Sequence, residues 1–403
     1  MKNLNTLFSI VTTSISCFSF GQISLQHPND IGIGSNSAVV FSEMFEQDSI
    51  QEMIQSVGYQ TSQMQSHINF DASIPLGSLG SQSLKLTTVE NSTVSNDPSE
   101  DANILKKFSN GITDSVFVRY YVKYNSNFTF HHSGVWMGGT NPANQCWPCN
   151  TPGRTIPTSG DSAFVIGTEI RGLANQSPQT SSKFGFYNYW MDMKGFTSGS
   201  SAGQYFGNEF ISPSSNGSLT MDVWNCIEVM IKMNNPTNST GELKLWINGQ
   251  LVGHYGQGFP NGTWNQATFV EGVGAPFDGF RFRSNPAVVF NYIWLKNYST
   301  NNTSTANNDV LYDHVVVAKD YIGPIYNPTN KVDELKNKTF SLYPNPVNET
   351  LNFSEYLEEF AIKNALGQEI LQGKGISVSI EVLENGIYYL QFRNNLYKFI
   401  VQK

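Results

Sequence analysis

The chain has 403 residues, with 24 Lys and Arg against 32 Asp and Glu, a formal net charge of −8. Such a chain has no general basic field to gather phosphates, which excludes nonspecific nucleic-acid binding but leaves room for a locally basic cleft that takes an anionic sugar. Only 14% of residues are charged, 13% are aromatic and 34 are Gly, a composition of strands and turns, and the length suffices for a large β domain with a smaller companion.

In chain order the first predicted element is a leader. Met1 to Gly21 places Lys2 before the apolar stretch Leu7 to Ile15 and then small residues, the three-part pattern of a secretory signal peptide. Cys17 opens a lipoprotein alternative, against which Ser14 stands where a lipobox has Leu. No later stretch approaches the ~18 uninterrupted apolar residues of a spanning helix.

Residues 22–327 read as one large β domain. A helix is expected within Glu43 to Val57. Ser115 to Tyr124 alternates β-branched and aromatic residues, and Gly241 to Val252 is a hairpin turning on Asn248-Gly249. Further strands are predicted at 163–171, 183–193, 223–233, 278–284, 289–296 and 310–319, between clusters of Gly, Asn, Ser and Pro. Many strands without intervening helices predict an all-β fold, a concanavalin-like jelly-roll sandwich. Cys146 and Cys149, two residues apart around Trp147-Pro148, lack both a βαβ context and a second such pair. A disulfide closing that loop is the expectation in an oxidising compartment, and Cys226 is expected to be a buried thiol. Residues 328–338 are polar and read as a linker, and 339–403 as a second, small β-sandwich.

The tail carries Phe340 to Val347 (with Tyr343-Pro344-Asn345-Pro346), Asn364-Ala365-Leu366-Gly367-Gln368-Glu369-Ile370, Asn385-Gly386-Ile387-Tyr388-Tyr389-Leu390 and a closing Lys398 to Lys403. These segments, in this order, resemble the type IX secretion sorting domain of Bacteroidetes. The resemblance implies export through the periplasm to the cell surface or the medium, with the type IX machinery as a partner. A C-terminal sugar-binding sandwich is the alternative.

Residues 40–320 resemble the jelly-roll polysaccharide lyases, most closely family fourteen, which includes alginate lyases. His131-His132-Ser133-Gly134-Val135-Trp136-Met137-Gly138-Gly139 is similar to a family segment that has a functional lysine where this chain has His131. Phe184-Gly185-Phe186-Tyr187-Asn188-Tyr189 resembles its Tyr-x-Tyr strand, and Glu169-Ile170-Arg171 is similar to the Glu-Leu-Arg strand of other alginate lyases. The resemblance implies a jelly roll acting on an acidic polysaccharide, with Tyr187, Tyr189, His131 and Arg171 as catalytic candidates.

The chemistry gives such residues a reason. Eliminating across C4–C5 of a uronate requires neutralising its carboxylate, removing the C5 proton and protonating O4, tasks within reach of Arg, Tyr and His. Strand alternation puts Phe184, Phe186 and Trp190 in the core and Lys183, Tyr187 and Tyr189 on the opposite, concave face. The same rule sets Arg119, Tyr121 and Lys123 opposite Val118, Tyr120 and Val122, and pairs Glu169 with Arg171. Arg119, Tyr121, Lys123, Glu169 and Lys183 are thus candidate substrate-binding residues, with a solvated strand position as the alternative reading for Arg119 and Lys123. Adjacent histidines in a strand point to opposite faces, so at most one of His131 and His132 enters the cleft. Arg281 and Arg283 share a face that could line its rim. No spacing of His, Cys or carboxylates suggests a metal site, no motif indicates a structural Ca²⁺, and no cofactor is implied. No phosphate loop, GxSxG elbow or HExxH occurs. The reading is a monomeric secreted lyase for a uronic-acid polymer. A lectin-like binding jelly roll is the alternative, and a glycoside hydrolase, which needs two carboxylates, comes third.

Overall fold

The structure is a computed structural model that describes residues 22–61, 67–88, 101–126, 132–142, 159–171, 181–298, 307–328, 340–365, 367–392 and 395–403. The chain divides into two units, Met1–Asn327 and Pro328–Lys403.

In the first unit the strands are β1 (Val39–Glu43), β2 (Ile68–Asp71), β3 (Ser83–Thr88), β4 (Asp101–Ile112), β5 (Ser115–Tyr124), β6 (Gly134–Thr140), β7 (Ala163–Arg171), β8 (Ser181–Tyr189), β9 (Asn208–Phe210), β10 (Ser218–Thr220), β11 (Asn225–Lys232), β12 (Glu242–Ile247), β13 (Gln250–Tyr255), β14 (Asn261–Asn265), β15 (Thr268–Glu271), β16 (Ala275–Pro276), β17 (Phe290–Tyr298) and β18 (Asn308–Ala318). They form two sheets. An eight-stranded sheet runs β13-β12-β11-β5-β18-β3-β2, with β1 beside β18, and a ten-stranded sheet runs β16-β14-β15-β9-β8-β7-β6-β17-β4, with β10 beside β8. The sheets face each other across one apolar core, a jelly-roll sandwich. Val116, Val118, Tyr120 and Val122 of β5 contribute from one side; Val135, Met137, Phe164, Ile166, Phe184, Phe186, Ile293 and Leu295 contribute from the other.

Local chemistry sets the elements. Asn248 (φ 51°) and Gly249 (φ 78°) take the two left-handed positions of a tight turn between β12 and β13, the expected hairpin. The predicted helix shortens to α1 (Ile50–Val57). Glu43 ends β1 by accepting the backbone N–H groups of Met44 and Phe45, and Ser49 then caps the helix by accepting from the Glu52 N–H at 3.1 Å. The strand expected at 278–284 does not form. Phe280 makes only an isolated bridge to Gly241, Phe280 and Phe282 pack into the core, and Arg283 donates to the carbonyls of Asn234, Val288 and Thr113. Arg283 therefore ties backbone together rather than lining a rim.

Three candidate binding residues sit on the wrong sheet. β5 belongs to the eight-stranded sheet, and its outward face meets segments from both ends of the domain and the turn after β2. Arg119 is 0% exposed and donates to Asp30 at 2.5 Å; His314 joins the same carboxylate at 2.7 Å. The Tyr121 hydroxyl accepts the Ile325 N–H, and the Lys123 ammonium donates to Ser73. Alternation was right about the face, but strand periodicity carries no information about which sheet receives the strand.

The second unit holds β19 (Leu342–Tyr343), β20 (Thr350–Asn364), β21 (Glu369–Ser379), β22 (Gly386–Phe392) and β23 (Asn395–Val401) in a sheet ordered β19-β20-β22-β23, with β21 beside β20. Its own core includes Val347, Leu351, Phe353, Phe360, Ile362, Leu390 and Phe399.

Candidate functional site

The outward face of the ten-stranded sheet carries the candidate site, and register explains its layout. One row across the strands reads Trp294 (β17), Trp136 (β6), Gly167 (β7), Tyr187 (β8) and Glu209 (β9). The next row reads Lys296, Gly134, Glu169 and Gly185 on β17 to β8. Gly167 is where the indole of Trp136 lies down: a Cβ there would come within 2.9 Å of its Nε1. Leu105, Trp136, Val165, Tyr187, Tyr292 and Trp294 pack into one aromatic floor, separate from the main core, with Tyr189 and Phe206 against it.

Glu169 organises the centre. It is 0% exposed, accepts from Trp136 Nε1 at 2.8 Å and His132 Nδ1 at 3.0 Å, and pairs with Arg171. Burial alone would raise its pKa, but His132, Arg171 and the Trp136 hydrogen bond outweigh burial and hold it down at about 2. An ionised, saturated and buried carboxylate positions its neighbours. Glu169, expected to bind substrate, is buried behind these three partners.

Arg171 reaches from Glu169 to Glu209, and its guanidinium lies 4.6 Å from the Tyr187 ring centre. Both carboxylates offset its charge. Tyr187 and Tyr189 stand on this face as alternation predicts, with ring centres 5.6 Å apart. Burial raises the pKa of both phenols, while Tyr189, Arg171 and Gly207 pull that of Tyr187 back down. Tyr187 is thus a protonated phenol at neutral pH, with the Arg171 guanidinium beside its ring.

His131 lies outside the described residues, as do Cys146 and Cys149. His132 takes the central place: its ring is 4.7 Å from that of Tyr187 and 5.5 Å from that of Trp136, with a left-handed backbone (φ 44°). Lys183 is on the same face toward one end of β8, where its ammonium donates to the Ser214 carbonyl at 2.6 Å. Arg281 pairs with Asp192 at 3.3 Å.

Sequence reasoning missed Trp136, Trp294, Lys296 and Glu209. The Lys296 ammonium sits 4.2 Å from the ring centre of Trp136, 4.4 Å from that of Trp294 and 5.2 Å from that of Tyr298. Burial lowers its pKa, against the attraction of Asp101 and Glu169. A signal existed, since Tyr292, Trp294, Lys296 and Tyr298 alternate with Ile293 and Leu295. Glu209 lies on a three-residue strand and had none.

Comparison with known proteins bears on each unit. No curated protein is similar enough in sequence to count as a relative. Among solved structures, a mutant of alginate lyase Aly36B in complex with alginate trisaccharide is similar at 18% identity and a TM-score of 0.45, over 70% of this chain and 99% of its own. The marine PL-14 alginate lyase from Aplysia kurodai is similar at 12% identity and 0.46, over 70% and 99%. An endo-β-1,4-glucuronan lyase from the fungus Trichoderma reesei gives 11% and 0.36, over 71% and 100%. Residues 341–403 match the family described as a secretion system C-terminal sorting domain. The second unit is therefore a sorting domain, and it marks the chain for type IX export to the cell surface or beyond.

Proposed function

We propose that the exported chain is a polysaccharide lyase that cuts a uronic-acid polymer of the alginate kind by β-elimination on the outward face of the ten-stranded sheet. One observation carries the reading: His132, oriented by a buried carboxylate, and Tyr187, beside the Arg171 guanidinium, stand 4.7 Å apart between ring centres next to a floor of indoles.

In the neutral tautomer that donates from Nδ1 to Glu169, the basic nitrogen of His132 is Nε2. This nitrogen takes the C5 proton of the bound uronate. The C4–O4 bond breaks as the C4=C5 double bond forms, and the Tyr187 hydroxyl delivers its proton to O4. Tyr189, Gly207 and Arg171 stabilise the phenolate left behind, and the new imidazolium stays paired with Glu169. The role first assigned to His131 passes to its neighbour. A hydrolase needs one protonated carboxyl beside the scissile bond, which Glu169, held at about 2, does not supply.

The test uses the purified protein with alginate, glucuronan, pectate, ulvan and glycosaminoglycans, following the ultraviolet absorbance of the unsaturated uronate that only elimination creates. Activity on at least one polymer is expected, with Tyr187→Phe lowering kcat by roughly 10²–10⁴-fold. Tight binding of a polymer with no absorbance change on any would replace the lyase with a lectin-like binding module.

A further inference from the structure

The outward face of the eight-stranded sheet holds a chain of side chains that the elimination does not use. His314 of β18 places its Nδ1 2.7 Å from Asp30 Oδ2 and its Nε2 2.8 Å from the Ser78 hydroxyl. Burial would raise the Asp30 pKa, but Arg119 and His314 outweigh it and keep the carboxyl ionised. An ionised carboxylate only accepts, so Nδ1 of His314 is the donor. Burial holds the imidazole neutral at pH 7, which leaves Nε2 with a lone pair that accepts the Ser78 O–H. In this order of carboxylate, imidazole and hydroxyl, the imidazole can take the serine proton, and the constellation recurs on unrelated folds in any chain order.

Each part is held in place. Ser78 ends the tight turn that begins at Pro75, with its N–H on the Pro75 carbonyl at 3.0 Å and Gly77 at φ 90°. Asn29 ties this turn to the segment of Asp30 by donating to the Gly77 carbonyl at 2.7 Å, and Glu46 fixes the chain beyond it by accepting the Ser81 N–H and hydroxyl. His314 stands at a shift of register in β18 with a left-handed backbone (φ 47°), and Asn29 (φ 57°) and Asp30 (φ 59°) are left-handed too. None of these is Gly, and strained backbone of this kind gathers where side chains must be aimed.

Access changes along the relay. Asp30 and His314 are buried, whereas Ser78 is half-buried and its chain neighbours Leu76 and Leu79 are 80% and 69% exposed. The Ser78 oxygen also accepts the Gly80 N–H at 3.0 Å, a donor that favours the oxygen as its proton departs. We propose that Ser78 is the nucleophile of a second catalytic site, with His314 as its general base and Asp30 as the positioning residue, which hydrolyses carboxylic esters carrying a short acyl group. Ser78 Oγ bonds to the ester carbonyl carbon as its proton passes to His314 Nε2. The bond from that carbon to the alcohol oxygen breaks as the imidazolium gives the proton to the departing alcohol. Water then attacks the acyl-serine and yields a proton to His314; the acid leaves and Ser78 regains its hydrogen. The alcohol of an ester leaves more readily than the amine of an amide, and a turn flanked by two exposed leucines offers apolar contact to a short acyl chain. Nothing in this site depends on the lyase reading, which concerns the other sheet.

The experiment treats the purified full chain with a fluorophosphonate, which phosphonylates an activated serine, and locates the adduct by peptide mass spectrometry. Modification at Ser78 is expected. Hydrolysis of p-nitrophenyl acetate should fall at least about a hundredfold in Ser78→Ala, with the circular dichroism of the variant unchanged. The labelling needs no variant to fold. A wild-type chain without an adduct at Ser78, or ester turnover equal in wild type and Ser78→Ala, overturns the assignment and leaves Asp30, His314 and Ser78 as a structural tie.

Discussion

At the scale of single residues the domain carries buried carboxyls of two kinds, some held ionised and some pushed toward the protonated form. Glu169 and Asp30 are both ionised, the first held at about 2 and the second lowered against burial by Arg119 and His314. Asp313 and Glu228 go the other way. One Asp313 oxygen accepts the His314 N–H, the other is buried without a partner, and burial pushes the carboxyl up to about 8. Burial likewise takes Glu228 to about 7, although it accepts the N–H groups of Ile322 and Gly323. Two raised carboxyls make the native state bind more protons than the unfolded chain, whose carboxyls titrate near 4. Their stabilisation is complete at acid pH and is lost as pH rises through 7 and 8. His314, lowered by burial, has the opposite sign, but its contribution is already complete above its unfolded value of about 6.5. Thermal stability of the large domain should therefore fall between about pH 6.5 and 8.5, and Asp313→Asn should flatten that fall. A midpoint that holds steady or rises over this interval in scanning calorimetry contradicts the assignment. Cys226 fits the sequence reading of a buried thiol, with burial pushing it up to about 12.

At the scale of elements, alternation was the legible signal. The core faces of β5, β7 and β8, and the shared face of Tyr187 with Tyr189, follow from period two because an apolar side chain gains by burial on one side only. The failures have physical reasons too. Residues 278–284 alternate like a strand, yet the aromatics Phe280 and Phe282 fill the core from a connection, and burial does not require a ladder. Glu43 to Val57 is a strand end, a turn and two turns of helix, because a carboxylate and then a serine offer the backbone local partners. The segment before β9 carries a prediction. A Cβ on Gly207 would lie 2.3 Å from the Tyr187 ring, so Gly207→Ala must move the ring or the backbone beside it. Activity should fall at least tenfold with the fold retained by circular dichroism; wild-type turnover in that variant would mean that the placement of Tyr187 is not what matters.

At the scale of the whole molecule, the address is a unit of its own, separate from the large domain. Each has its own apolar core, so deletion of residues 341–403 should leave the large domain folded and inside the cell while abolishing delivery to the surface and medium. Unimpaired delivery of the truncated chain, seen by fractionation and immunoblot, would overturn the tail's role. The sequence by itself determined the all-β class, the sorting tail and the face on which Tyr187, Tyr189, Glu169 and Arg171 meet, since composition, motif order and strand period are local properties. Only the tertiary structure decided that Arg119, Tyr121 and Lys123 lie on the other sheet, engaged by Asp30, Ile325 and Ser73. It alone brought Lys296 and Trp294, more than a hundred residues beyond Glu169 in the chain, to its side. The reason is that side-chain alternation fixes how a strand faces, whereas sheet membership and register arise from backbone pairing between segments far apart in the chain, which no local pattern records.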